Sequence, residues 1–185
     1  MEDKLEINTN VKLGWGTFSK RPAELIIGYI IYYILGLATC CFLYGPLTFG
    51  YTIMCLDAAK GKKVSIGDVF NGFKNYFPQG LILWFLWYIM FWVGLAFAVI
   101  PGLIVAYLFQ WSFFIMVDQK KGAMESLKES YQMNVDNLGP TLVFFLVWIA
   151  IACAGTIVGL GILITVPIAC VIQAHGYLRA FKPTV

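Results

Sequence analysis

The chain has 185 residues, 60% hydrophobic and only 12% charged, with a formal net charge of +3. Soluble domains run at roughly 45–50% apolar and 25% charged, so this composition excludes an ordinary soluble domain as well as a disordered chain. So small a net charge gives no reason to expect a nucleic-acid partner, and the surplus apolar surface has to face lipid, which makes the bilayer the first partner.

Residues 1–21 form a polar lead-in. Met1-Glu2-Asp3-Lys4-Leu5-Glu6 is not followed by the short apolar core and cleavage site of a signal peptide, so the first apolar helix is expected to be the insertion signal. Trp15 and Phe18 stand close to Lys20 and Arg21. Aromatic and basic residues together predict an interfacial arm at headgroup level. Pro22 then opens a helix where its missing N–H costs nothing. No charge occurs from Leu25 to Leu56, and Tyr44-Gly45-Pro46 interrupts the run. That pattern predicts helices near 22–43 and 47–60. The second ends Asp57-Ala58-Ala59-Lys60-Gly61, with Lys60 opposing the negative helix end and Gly61 in the C′ position. It is short for a full crossing, so the first hairpin either thins the bilayer or is partly re-entrant.

Ser65-x-x-Asp68 reads as a capping box, and Ile66, Val69, Phe70, Phe73 and Phe77 follow at helical spacing. An amphipathic helix lying in the interface is expected there. Tyr76 to Val117 then contains no Asp, Glu, Lys, Arg or His. One crossing needs about 20 apolar residues, so a run about twice that long has to fold back. Ile100-Pro101-Gly102 supplies the expected turn, with helices near 78–99 and 103–121 and an exit at Asp118-Gln119-Lys120-Lys121-Gly122. A second amphipathic segment sets Met124, Leu127, Tyr131, Val135 and Leu138 against Glu125, Lys128, Glu129 and Asp136. Pro140 opens the fifth helix, Gly159-Leu160-Gly161 breaks the last uncharged run, and Pro167 is expected to kink the sixth helix.

The resulting expectation is an all-α, polytopic membrane bundle of six transmembrane helices arranged as three helical hairpins, about 22–60, 78–121 and 140–181. Residues 1–185 form a single integral membrane domain in this reading, with short amphipathic interfacial helices on the cytoplasmic side. All thirteen basic and all ten acidic residues lie away from the three tips. The positive-inside rule places that charged face and both termini in the cytoplasm, and the chain in the cytoplasmic membrane. Asp57-x-x-Lys60-Gly61 recurs as Asp118-x-x-Lys121-Gly122, and the same offset pairs Trp87 with Trp148 and Gly94 with Gly155. Internal duplication is one reading; shared helix caps are the other.

Few side chains could carry chemistry. Gln110, Gln173 and His175 are the strongly polar residues inside the apolar runs and form a candidate intramembrane path. A glutamine in a bundle also serves as interhelical glue, and His175, close to Arg179, also fits the wet edge. Lys60, Lys62, Lys63, Lys120 and Lys121 are candidate contacts for anionic lipids, at about 1 kcal/mol per charge, and equally fit simple topology determinants. Asp57 and Asp118 read as a paired-carboxylate site or as solvated helix ends. Cys40, Cys41, Cys55, Cys153 and Cys170 show no C-x-x-C spacing and read as small buried hydrophobes, with a labile thiol conceivable at Cys40-Cys41. Gly155-x-x-x-Gly159 and Ala150-x-x-x-Ala154 permit close helix packing. No P-loop, H-E-x-x-H, G-x-S-x-G or dinucleotide fingerprint occurs, so no enzyme, metal or cofactor is expected.

Gly14-Trp15-Gly16-Thr17-Phe18-Ser19-Lys20-Arg21-Pro22, Ile100-Pro101-Gly102, Phe114-Ile115-Met116-Val117-Asp118, Ala123-Met124-Glu125-Ser126-Leu127-Lys128-Glu129-Ser130 and Ala174-His175-Gly176-Tyr177-Leu178 carry a resemblance. They resemble a broad group of uncharacterised prokaryotic six-helix membrane proteins, which includes the membrane domain joined to some bacterial glycerophosphodiester phosphodiesterases. The resemblance implies a multi-pass membrane protein without assigned chemistry, and no catalytic domain carries over. The leading functional expectation is a non-enzymatic helper or interaction module, with a membrane-protein partner or a second copy of itself. The alternative is a small transporter or channel with a polar path at the fourth and sixth helices. A membrane-embedded lipid enzyme acting through Asp57 or Asp118 is the third reading.

Overall fold

The computed structural model describes residues 5–39, 43–155 and 161–181. Among them the regular structure is helical throughout: α1 (Ile7–Lys20), α2 (Pro22–Ala38), α3 (Tyr44–Ala59), a 3-10 turn (Ile66–Phe70) running into α4 (Asn71–Asn75), α5 (Phe77–Phe97), α6 (Val99–Leu108), α7 (Ser112–Gln119), α8 (Ala123–Asp136), α9 (Leu138–Ala154) and α10 (Ile162–Phe181). Five prolines sit within the first three residues of a helix: Pro22 in α2, Pro46 in α3, Pro78 in α5, Pro101 in α6 and Pro140 in α9. The first-turn N–H groups have no intrahelical partner, so proline costs nothing there.

That placement corrects two expected turns. Pro46 begins α3 rather than ending the helix before it, and α2 stops at Ala38. The expected labile pair Cys40-Cys41 and the tip residues Gly159-Leu160 lie outside the described residues. Before α6 the break is one extended residue, Ala98 (φ −173°, ψ 165°), and Gly102 is helical. Its role is contact: a Cβ on Gly94 would lie 2.9 Å from the Gly102 Cα, so α6 returns along α5 with backbones touching. Gly155 meets Gly161 in the same way, its Cβ falling 2.6 Å from the Gly161 carbonyl carbon. The two glycines matched by sequence offset thus both mark a close return. The helix expected over 103–121 is divided into α6 and α7 by a break at 109–111, whereas α10 runs unbroken through Pro167.

Among the described residues, three stretches are long and apolar enough to cross a bilayer: Phe77–Phe97, Val99–Gln119 and Ile162–Phe181. The number rises to five if each bent pair, α1–α2 and α8–α9, is one span. Helices α2, α3 and α9, with 17, 16 and 17 residues, fall short of the six expected full-length crossings. At 1.5 Å per residue they reach about 24–26 Å against a hydrocarbon layer of about 30 Å. The short α3 is the core helix, burying Leu47, Phe49, Met54, Cys55 and Leu56 among its neighbours. Gly50 lets the 3-10 turn lie directly on it, since a Cβ there would be 1.6 Å from the Val69 carbonyl oxygen.

The segments before α2 and α9 lie crosswise. Helix α1 meets α2 at 91° and α8 meets α9 at 108°. Helix α8 also overturns an expectation. Of its apolar stripe only Leu127 is buried; Met124 is 68% exposed, and Tyr131, Val135 and Leu138 face outward. The inward face is small and polar: Ser126, Ser130 and Asn134, all fully buried. Phe70 and Phe77 are likewise exposed. Apolar groups turned outward beside charged ones suit a headgroup region, where the surroundings are themselves partly apolar. The capping box is present in the form expected, with the Ser65 N–H donating to Asp68 Oδ2 at 2.7 Å. Gly61 takes the left-handed conformation (φ 73°) as expected; after α7 it is Lys120 (φ 56°), not Gly122, that does so.

Candidate functional site

A cavity of about 470 Å³ opens between α2, α3, α5, α6, α9 and α10. Tyr29, Tyr32 and Tyr51 form one wall, Trp87 and Trp148 stand on others, and the exposed Leu103 and Cys153 lie at its edge. Two of the three candidate path residues meet there. Gln173 Nε2 donates to the Gln110 carbonyl oxygen at 3.0 Å, and both side chains line the cavity. His175 does not. Its Nε2 lies 2.9 Å from Thr17 Oγ1, against α1, and it is absent from the wall. Two residues turn a helix by about 200°, so Gln173 and His175 point to opposite sides of α10.

The break before α7 explains how Gln110 is held. The Ser112 N–H turns to the Phe109 carbonyl at 3.2 Å, which leaves the Leu108 carbonyl without its helical donor. Ser130 Oγ donates to it at 2.9 Å and Asn134 Nδ2 at 3.0 Å. Asn134 Nδ2 also reaches the Tyr107 carbonyl, while its Oδ1 accepts from Gln110 Nε2 at 3.0 Å and Trp111 Nε1 at 3.1 Å. Asn134 is therefore the keystone of the broken span, and sequence reasoning missed it. The available signal was Ser126-x-x-x-Ser130-x-x-x-Asn134, a polar stripe of small residues at i, i+4 spacing.

The charged ends form a second layer. Lys60 Nζ is 2.6 Å from Asp118 Oδ1, which joins the end of α3 to the end of α7. The Tyr177 hydroxyl donates to Asp118 Oδ2 at 3.2 Å and brings in α10. The Asp118 side chain is only 3% exposed, so it is not the solvated helix end expected; Asp57, paired with Lys62 at 2.8 Å, is closer to that description. Each aspartate has its own lysine, and Lys60, at the end of α3, crosses to Asp118 on α7. Tyr76 donates to the Val117 carbonyl at 2.9 Å, and burial, then the Asp118 and Asp57 charges, push its phenol up so that it keeps the proton it donates.

Of the five candidate lipid-contact lysines, Lys60, Lys62 and Lys121 (to Glu129) already hold carboxylates. Lys63 and Lys120 are exposed and stand in no ion pair among the described residues. Lys60→Met takes the cation at 2.6 Å away from the buried Asp118 carboxylate, so it is expected to cost about 1–3 kcal/mol. Paired with Asp118→Asn in a double-mutant cycle, measured by unfolding in mild detergent, the two losses should be clearly less than additive.

Residues 28–174 match the model of the family described as Uncharacterised protein family (UPF0259). The chain belongs to that family. The matched stretch includes Asn134, Gln110, Gln173 and both cavity tryptophans. Similar relatives include an uncharacterized protein of Mycobacterium bovis (Mb2590) and one of Mycobacterium tuberculosis (Rv2560), each 28% identical over 126 residues. Those matches cover 68% of this chain and 38% of each relative, so the chain spans well under half the length of the curated relatives it matches. No solved structure matches this UPF0259 chain.

Proposed function

We propose that this protein is a multi-pass component of the cytoplasmic membrane, one integral domain with six crossings paired as three hairpins and both termini in the cytoplasm. In this reading it works as a non-enzymatic helper or interaction module. The observation that carries it is the division of its surface. Phe97, Val99 and Ile100, at the α5–α6 turn, are 84%, 65% and 70% exposed without a charge near them in sequence. The charged ends lie away from that turn in sequence, where Lys60–Asp118, Lys62–Asp57 and Lys121–Glu129 form ion pairs. Large exposed apolar belts bind lipid or a partner. The resemblance to the membrane domain of glycerophosphodiester phosphodiesterases rests on the quoted motifs alone and concerns architecture, not activity.

Repeated purification in a mild detergent is expected to retain a lipid, a membrane protein or a second copy in constant proportion. Preparations that are monomeric and carry nothing reproducible would count against the module. The transporter reading draws on the meeting of Gln110 and Gln173 at the cavity, though His175 lies off that path. Solute flux in reconstituted vesicles that changes in Gln110→Leu would put it first.

A further inference from the structure

The cavity has an unusual polar inventory. Among the described residues no Asp, Glu, Lys, Arg or His lines it, so an ionised group inside would meet no counter-charge from them. Yet three side-chain atoms of its lining residues are buried without any hydrogen-bond partner: Gln110 Oε1, Trp87 Nε1 and Trp148 Nε1. Gln110 is 93% buried by complement of its 7% exposure, its amide N–H already spent on Asn134. An unmet polar group in hydrocarbon is costly, and the lining residues of this one cavity leave one acceptor and two donors over.

We infer that the cavity is a binding site for an uncharged, hydroxyl-bearing lipid. A hydroxyl carries one donor and two lone pairs, so it can donate to an amide oxygen or accept from an indole N–H, the two kinds of unmet group here. Its apolar chain would lie against the aromatic walls, and about 470 Å³ falls within the usual range of small-molecule sites. The three atoms are shielded from the open space of the cavity, so binding requires their side chains to turn inward. A water molecule could meet the same hydrogen bonds but would leave the apolar walls facing empty space; a fatty chain fills both needs. The edge at Leu103 and Cys153 gives a route from the bilayer. The inference rests on the membrane reading for the source of the ligand, and on nothing about a protein partner.

Brominated lipids, which quench tryptophan fluorescence on contact, test this with the intact protein in phosphatidylcholine nanodiscs. Dibrominated monooleoylglycerol should quench in a saturable phase at low mole fraction, above the linear quenching that brominated phosphatidylcholine causes through lipid-facing Trp92. Dibrominated methyl oleate, which has the chain but no hydroxyl donor, should need about tenfold more to half-saturate. Brominated phosphatidylglycerol, with its fixed charge, should give the linear phase only. Ala106→Phe, which fills the cavity, should remove the saturable phase. Linear quenching by the monoacylglycerol in the wild-type protein overturns the site. Equal half-saturation by the methyl ester overturns the hydroxyl, and saturable binding of phosphatidylglycerol overturns the neutral head; none of these needs a variant that folds. Each failure leaves the co-purification result for the interaction module untouched, and that result can fail while the quenching holds.

Discussion

Asn134→Leu is expected to cost about 3–5 kcal/mol of stability, a large share of what a membrane domain of this size can lose. Leucine has the same branched skeleton of heavy atoms and suits hydrocarbon, so a simple transfer argument predicts a gain. The hydrogen bonds decide otherwise. Removing the amide leaves Gln110 Nε2 and Trp111 Nε1 without an acceptor and takes donors from the Tyr107 and Leu108 carbonyls. Interhelical hydrogen bonds in bilayers average below about 1 kcal/mol each, but those losses find new partners; here two buried donors lose their acceptor and two carbonyls lose one of their donors at a single break. Thermal unfolding in mild detergent measures the loss. Ser130→Ala, which removes one of two donors to Leu108, should cost much less.

Gly50→Ala and Gly16→Ala should move stability in opposite directions. The two changes are chemically identical and both positions are helical. At Gly50 the new methyl would lie 1.6 Å from the Val69 carbonyl oxygen, a backbone atom that cannot turn aside. The 3-10 turn would have to lift off α3, for about 3 kcal/mol or more. At Gly16 nothing lies within 4 Å of the added carbon, so only the helical preference for alanine remains, about 0.5–1 kcal/mol in favour. Side-by-side melting curves check both, and equal shifts would mean that the turn does not sit on α3 as described.

Much of the fold is legible in sequence because proline and charge act locally. Pro22, Pro78 and Pro140 mark helix starts for a reason confined to one turn, and Asp57-x-x-Lys60-Gly61 marks an end in the same way. Pro46 and Pro101 misled because a proline near a break belongs to whichever helix has spare N–H groups, and that is the following one. Helix α8 misled for a deeper reason. Periodicity assumes water outside and oil inside, whereas at a membrane surface Met124 and Tyr131 can face outward while Ser130 and Asn134 satisfy a buried backbone. The break at 109–111 carries no glycine or proline at all; Phe109-Gln110-Trp111 is broken by partners on α8, which only the tertiary structure brings near. Gln110 and Gln173 were visible as lone polar groups in apolar runs, but their meeting, and the separation of His175, depend on the rotation of α10.

The central claim is that lipid surrounds the apolar belt and that the ion-paired layer and the bare turn lie on opposite sides of it. Single cysteines in place of Lys63 and Ile100, introduced into a protein whose native cysteines are replaced, test this with a membrane-impermeant maleimide. The account predicts that Ile100→Cys reacts in intact cells and that Lys63→Cys reacts only after the membrane is opened. Reaction of both from the same side would contradict it.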